Sequence, residues 1–325
     1  MMKQVLARTC ILLSVAFGLP QAPALAADEF PTRPISLIVP YPPGGATDNL
    51  ARMLAKKISE NIGKPVVVEN KPGATGMIAG EFLSRATPDG HTIMMDQSSI
   101  VANPSLYQSV RFDVRKDLAP VTLPANMMHL LVVNSAVPAR TLQELIALAK
   151  SQPGKLNYSS TGSGGPQHLA MEALKHTTGV DIMHVPYKGG AQALFAAMSG
   201  DTQMTMLSVA TTLPQLKAGK LRAVAMLGTE RSKVLPDVPT FAELGFKGLS
   251  TPWLGIFAPA GTPPATIKRL NAEFLNAIQD PQVRERMDAQ AFEPVGSSAE
   301  AFRKFLDEEL AANAKLIRDI GIKPD

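Results

Sequence analysis

Cysteine is almost absent from this chain: of 325 residues only Cys10 is one. It falls inside a leader-like segment, so the rest of the protein has no disulfide framework, no thiolate metal site and no cysteine nucleophile. Excess charge of one sign is missing too. Lys and Arg number 32 against 28 Asp and Glu. No block of like charge and no basic amphipathic helix occurs, which excludes nucleic acid and a membrane surface as indicated partners. The apolar run at 11–19 is far shorter than the roughly 20 residues that span a bilayer. Neither G-x-x-x-x-G-K-[ST] nor G-x-G-x-x-G is present, the nearest string, Gly162-Ser163-Gly164-Gly165, having the wrong spacing. A nucleophile elbow at Ser163 is excluded because Thr161 stands where glycine is required.

What is present begins with a secretory signal peptide over residues 1–26. Lys3 and Arg8 precede the apolar run, and Pro20 and the small residues 22–27 follow it, with cleavage expected after Ala26 or Ala27 and export to the periplasm. Cys10 precedes the end of the apolar run, the wrong place for lipid attachment. Removal of Lys3 and Arg8 leaves 30 basic against 28 acidic residues, on roughly 300 residues that suffice for two cores.

Three segments then repeat one design. A strand over 35–40 runs into Tyr41-Pro42-Pro43-Gly44-Gly45 and a helix from about Thr47, with Leu50, Met53, Leu54, Ile58 and Ile62 at helical spacing. A strand over 156–160 runs into Thr161-Gly162-Ser163-Gly164-Gly165 and a helix opening at Pro166, where the missing proline amide is no loss. A strand over 181–185 runs into Pro186-Tyr187-Lys188-Gly189-Gly190 and a helix over 191–199. Further strands are expected at 66–68, 91–95, 130–133, 203–207, 223–227 and 254–258. Further helices are expected at 78–86, 141–152, 213–218, 265–279, 281–290 and 299–320. Alternation of this kind implies an α/β architecture with largely parallel sheets flanked by helices.

Glycines ahead of a helix let a ligand approach the backbone, and the first amides of the helix lack intrahelical partners, so such loops suit an anion. Tight βα turns with no ligand are the competing explanation of any one loop; three alike favour a shared ligand. The hydroxyls of Ser159, Ser160, Thr161 and Ser163 can bond it, and Tyr41 and Tyr187 can wall it. Asp48, in a first helical turn, serves as a cap or as a contact to a ligand ammonium or hydroxyl. His168, Glu172 and His176 share a helix face, but no further ligand cluster accompanies them, so no metal and no cofactor is expected. His168 stands where it can reach the pocket from its helix start. A serine-loop hydrolase is the rival from another class, and it has only His168 at hand.

The ordered motifs resemble the receptors of tripartite tricarboxylate transporters, the Bug family. They are Pro40-Tyr41-Pro42-Pro43-Gly44-Gly45 with Asp48 and Arg52, Glu69-Asn70-Lys71-Pro72-Gly73-Ala74 with Gly76, Pro88-Asp89-Gly90-His91-Thr92, Asn103-Pro104-Ser105-Leu106-Tyr107, Pro153-Gly154-Lys155-Leu156-Asn157-Tyr158, Val185-Pro186-Tyr187-Lys188-Gly189, Leu235-Pro236-Asp237-Val238-Pro239-Thr240 and Ala258-Pro259-Ala260-Gly261-Thr262-Pro263. The resemblance implies a two-lobed, type II-like periplasmic binding protein fold, each lobe a mostly parallel sheet with helices. Lobe one is expected over 27–130 plus 250–325 and lobe two over 131–249, with crossings near 125–132 and 249–254. It implies a monomer without catalytic residues that captures a small carboxylate and delivers it to transporter subunits in the membrane. A sensor feeding a two-component system is the alternative use of the same binding step. It further implies that Pro43, Gly44 and Gly45 face Ser160, Thr161 and Gly162 across the ligand. The full candidate ligand-binding set adds Tyr41, Asp48, Ser98, Gly165, His168, Tyr187 and Gly189.

Overall fold

The computed structural model describes residues 30–228, 230–246 and 249–322; the signal peptide read at 1–26 lies outside them. Two sheets organise the chain. The first is built from β1 (Ile35–Val39), β2 (Val66–Asn70), β3 (Thr92–Gln97), β4 (Leu118–Met127), β10 (Trp253–Pro259) and β11 (Phe292–Pro294), in the order β11-β4-β10-β3-β1-β2. The second holds β5 (His129–Asn134), β6 (Leu156–Ser160), β7 (Ile182–Pro186), β8 (Met204–Ser208) and β9 (Leu221–Leu227), in the order β7-β6-β8-β5-β9.

Side-chain alternation along each strand sets two helical layers per sheet. In β1, Leu37 and Val39 face α1 (Ala46–Ile62), α8 (Pro264–Gln279) and α9 (Pro281–Ala289), where Leu50, Leu54, Ile58, Phe274 and Met287 complete a buried core. Ile38 faces α2 (Met77–Ser84), α3 (Ser99–Leu106) and α10 (Ala299–Asp319), against Leu83, Ile100 and Phe302. The second sheet repeats this arrangement. Leu131, Val133 and Tyr158 pack on α4 (Leu142–Ser151) and α5 (Pro166–Thr178), whereas Leu130 and Val132 pack towards α6 (Gly190–Ser199) and α7 (Val209–Lys217).

Both sheets are mixed rather than mostly parallel. β1 pairs in parallel with β2 and β3, and β6 with β7 and β8. β4, β10 and β11 join the first sheet antiparallel, as β5 and β9 join the second. The cause is the passage of the chain between sheets: β4 ends at Met127 and β5 opens at His129, and β9 ends at Leu227 before β10 opens at Trp253. The chain changes sheet at Met128 and again between Leu227 and Trp253. β4 carries Pro120 and Pro124, which remove ladder donors, and its pairing with β10 is broken by register shifts around Ile256.

β1 lies between β2 and β3, and β6 between β7 and β8, so each is the strand at which the order reverses. A crevice opens beyond the carboxyl end of such a strand, because the connections on either side leave in opposite directions. The first and second glycine-rich loops leave from these two strands.

A buried carboxyl supports the first crevice. Asp96, 1% exposed at the end of β3, accepts hydrogen bonds through Oδ1 from Tyr41 Oη at 2.8 Å and Gln97 N at 2.7 Å. Ser99 Oγ lies 2.9 Å from the same Tyr41 hydroxyl. Asp96 Oδ2 is buried with no partner, and burial lifts the carboxyl to about 7. An unfolded Asp titrates near 3.9, so between the two values the folded protein binds more protons than the unfolded chain. Stability therefore falls as pH rises through that window and levels off above it, by about 4 kcal/mol at most. Asp96→Asn is expected to flatten this decline. Urea unfolding of both proteins between about pH 5 and pH 8 checks it; parallel profiles would contradict the assignment.

Candidate functional site

A cavity of about 500 Å³ lies between the two lobes. The starts of α1 and α6, the first turn of α5 and the start of α7 all contribute to its wall. The first intrahelical bonds run from Asn49 N to Gly45 O in α1, from Leu169 N to Gly165 O in α5 and from Ala193 N to Gly189 O in α6. The amides ahead of these have no partner within their helices, and none of the three helices has a side-chain cap. Helix starts left open in this way attract an anion.

The α1 loop is held from behind. Asp48, 2% exposed, accepts from Gly44 N at 2.9 Å, Arg52 Nε at 2.9 Å and Asn70 Nδ2 at 2.8 Å. Asn70 Nδ2 also donates to Tyr41 O at 2.9 Å. Burial alone would raise the Asp48 carboxyl; bonds from Arg52, Gly44 and Asn70 outweigh it and leave the group below the usual carboxylate range. Asp48 is thus a scaffold for the loop and stands outside the cavity wall. Gly44 sits at φ +83°, the left-handed region where a side chain is strained.

The α5 loop is braced in a different way. Ser160 Oγ, in a fully buried residue, lies 2.6 Å from His184 Nε2 and donates to Gly162 O at 3.1 Å. The His184 ring is sandwiched between those of His168 and Tyr158, at 4.2 and 4.8 Å between centroids. His168 Nδ1 accepts from Gly164 N at 3.1 Å. Burial, and after it the charges of His168 and Lys175, push His184 down to about 3. Ser160 and His168 therefore stand behind the loop and not in the cavity. The serine-histidine pair is shut away from the cavity.

Of the expected site residues, Tyr41, Pro43, Gly44, Gly45, Thr161 and Gly189 line the cavity. Asp48, Ser160, Gly162, Gly165, His168 and Tyr187 belong to the loops or helix starts but are not in its wall. Gly162, at φ +130°, and Gly165, the N-cap of α5, shape the turn; Tyr187 N donates to Ser160 O at 3.0 Å. Ser98 borders a separate small pocket beside Leu169, Glu309 and Asn313.

Several wall residues were not foreseen, notably Gln97, His129, Gln167, Ser208 and Thr211. Gln97 Nε2 donates to Thr47 Oγ1 at 3.0 Å and Gln167 Oε1 accepts from Thr161 Oγ1 at 3.2 Å. Ser208 caps α7 by accepting from Thr211 N. This fourth helix start lacks glycine, and its helix, expected from 213, opens four residues earlier at Val209; a serine three residues ahead of Thr211 after an apolar strand was the available signal.

Among the described residues the wall has no acidic side chain, and its one lysine or arginine, Lys188, is exposed. No three His, Cys, Asp or Glu side chains among the described residues gather to hold a metal. The lobes also touch directly: Thr75 Oγ1 and Tyr107 Oη donate to Ser163 O at 2.9 and 3.1 Å. Ala74 and Thr75, at φ 47° and 50°, hold left-handed conformations beside this contact.

The model of the tripartite tricarboxylate transporter family receptors matches residues 50–322. BugT of Bordetella pertussis is 35% identical over 305 residues, covering 93% of this chain and 94% of its own. Among solved structures, one from R. palustris with adipate is 32% identical with a TM-score of 0.87, over 91% of this chain and 100% of that one. MatC from Rhodopseudomonas palustris with bound malate is 30% identical with a TM-score of 0.82, over 89% of this chain and 100% of its own. With this fold, these motifs and these matches, the chain belongs to the Bug family of tripartite tricarboxylate transporter receptors.

Proposed function

We propose that this receptor is exported to the periplasm, captures one small carboxylate between its lobes and delivers it to a tripartite tricarboxylate-type transporter in the membrane. Di- and tricarboxylates, aromatic acids and acidic amino acids form the ligand class. One observation carries the reading: open helix starts from both lobes converge on a wall without an acidic side chain among the described residues. Adipate and malate in the two related structures support the same ligand class.

Helix starts alone do not account for useful affinity. Each contributes up to about 2 kcal/mol in a partly buried geometry, so three give about 3 to 6, whereas micromolar binding requires about 8 kcal/mol. Hydrogen bonds from Thr47 and the wall amides, made to a charged group with water excluded, cover the difference. Capture without chemistry is supported by the related solute-binding proteins and by the burial of Ser160 behind its loop.

Two measurements test the reading. Ligand-stripped protein melted with succinate, malate, citrate, adipate, benzoate, aspartate and glutamate should show an upward shift of several degrees for at least one acid; a flat response to all would defeat it. Valine at Gly44 or Gly162 would confound binding with backbone strain, since both lie at positive φ. Gly45 and Gly190 do not, and a Cβ there meets nothing closer than 3.7 Å. Gly45→Val and Gly190→Val are therefore expected to fold normally and to weaken binding at least about 100-fold, read by calorimetry. Unchanged affinity would mean that these loops are only turns.

A further inference from the structure

His184 stands in β7 opposite Tyr158 of β6, so its ring takes the same face of the sheet as Tyr158 and, two residues on, Ser160. α5 covers that face, and the ring of its His168 lies nearly parallel to that of His184, at 19°. Strand register thus delivers an imidazole to the rear of the α5 loop, where its Nε2 meets Ser160 Oγ.

Three bonds meet at that hydroxyl. Ser160 Oγ accepts from Gly162 N at 3.2 Å, donates to Gly162 O at 3.1 Å and lies 2.6 Å from His184 Nε2. A serine has one proton and two lone pairs to distribute. The proton goes to Gly162 O and one lone pair takes Gly162 N, so His184 gives a proton from Nε2 to the other. Burial, and after it the charges of His168 and Lys175, push the ring down to about 3. It is therefore neutral at physiological pH and carries a proton on one nitrogen only, the one that its bond selects. Gly162, at φ +130°, has no side chain to hold its peptides in one orientation. Ser160 grips that turn at both N–H and C=O, and His184 holds Ser160. Thr161, enclosed by the grip, lines the cavity together with its hydrogen-bond partner Gln167.

We propose that His184 is a positioning residue for ligand capture: by donating from Nε2 to Ser160 it fixes the Gly162 turn, and with it the Thr161 part of the wall, from a place outside the cavity. This rests on the carboxylate reading above. The ring also stacks between His168 and Tyr158, and the two contributions are separable. Phenylalanine keeps a ring to stack and lacks the donor, whereas glutamine lacks the ring and keeps an N–H donor.

The test is calorimetry on ligand-stripped protein with the acid of the melting panel that gives wild type its largest shift. His184→Phe and Ser160→Ala should each bind it at least about 10-fold more weakly. Their double variant should be no more than about 3-fold weaker than the worse single, because both remove the same link. His184→Gln should stay within about 3-fold of wild type. If stacking alone matters, the Phe variant binds as wild type does and the Gln variant loses affinity; that result overturns the proposal, and so do losses that multiply in the double variant. Nitrogen-15 spectra of histidine-labelled wild type should show the His184 ring neutral with its proton on Nε2. A proton on Nδ1 overturns the proposal too, in a readout that needs no variant to fold. Silence of the whole melting panel defeats the carboxylate reading and this one together, whereas wild type and His184→Phe binding equally well defeats this one alone.

Discussion

Backbone amides that have no partner within their own helices set the terms for the rest of this structure. A helix leaves its first amides unsatisfied, and here the starts of α1, α5 and α6 have no side-chain cap. A chain that leaves donors open must keep competing acceptors away from them and must hold the loops by other means. Both conditions are met. The cavity wall carries no acid among the described residues, and the loops are secured from the far side, by Asp48 on Gly44 N and by His168 on Gly164 N. Asp48 is acidic and near a helix start, yet Arg52 and Asn70 occupy its remaining capacity. Its charge is taken up in the scaffold rather than presented to a ligand.

Legibility in the sequence followed the backbone. Glycine is required where φ is positive, at Gly44 and Gly162, so the loops after β1 and β6 were visible as loops. The two-lobed fold followed from strand and helix alternation and from ordered motifs. Three features were not legible for physical reasons. β4 carries Pro120 and Pro124 and reads as irregular, although its partner β10 absorbs them with register shifts. α3 has Pro104 inside it, which erased the helical pattern. The start of α7 reaches the cavity on Ser208-Val209-Ala210-Thr211, a helix opening capped by a hydroxyl, with no close-approach glycine to announce it.

Side chains were harder than loops. A sequence identifies a loop beside a ligand but not which side of it each side chain takes, and Asp48, Ser160 and His168 all turned to the rear. Each has a better partner there than a solvated ligand offers, in a backbone amide or a buried ring. His129, by contrast, lies just ahead of the strand expected at 130–133, and its place in the wall depends on the register of β5 against β8. Register is a property of two distant segments, and neither shows it alone.

The two sides of the cleft are joined unequally, and this bears on closure. On the α5 side the protein makes its own contacts: Thr75 and Tyr107 bond Ser163 O, and Leu169 packs against Ala102, Leu106 and Ile317. On the α6 side the loops merely face each other, a Cβ at Gly189 lying 3.4 Å from Pro42 Cγ, and no hydrogen bond joins residues 41–49 to 186–192 among those described. Neutral hydrogen bonds contribute about 0.5 to 1.5 kcal/mol each, while a swing from 1:99 to 99:1 in a two-state equilibrium takes about 5.5 kcal/mol. Two such bonds fall short of that. An anion shared between the amides that follow Gly45 and those that follow Gly189 would touch both lobes only when they are together, and would supply differential affinity on the side where no hydrogen bond is described.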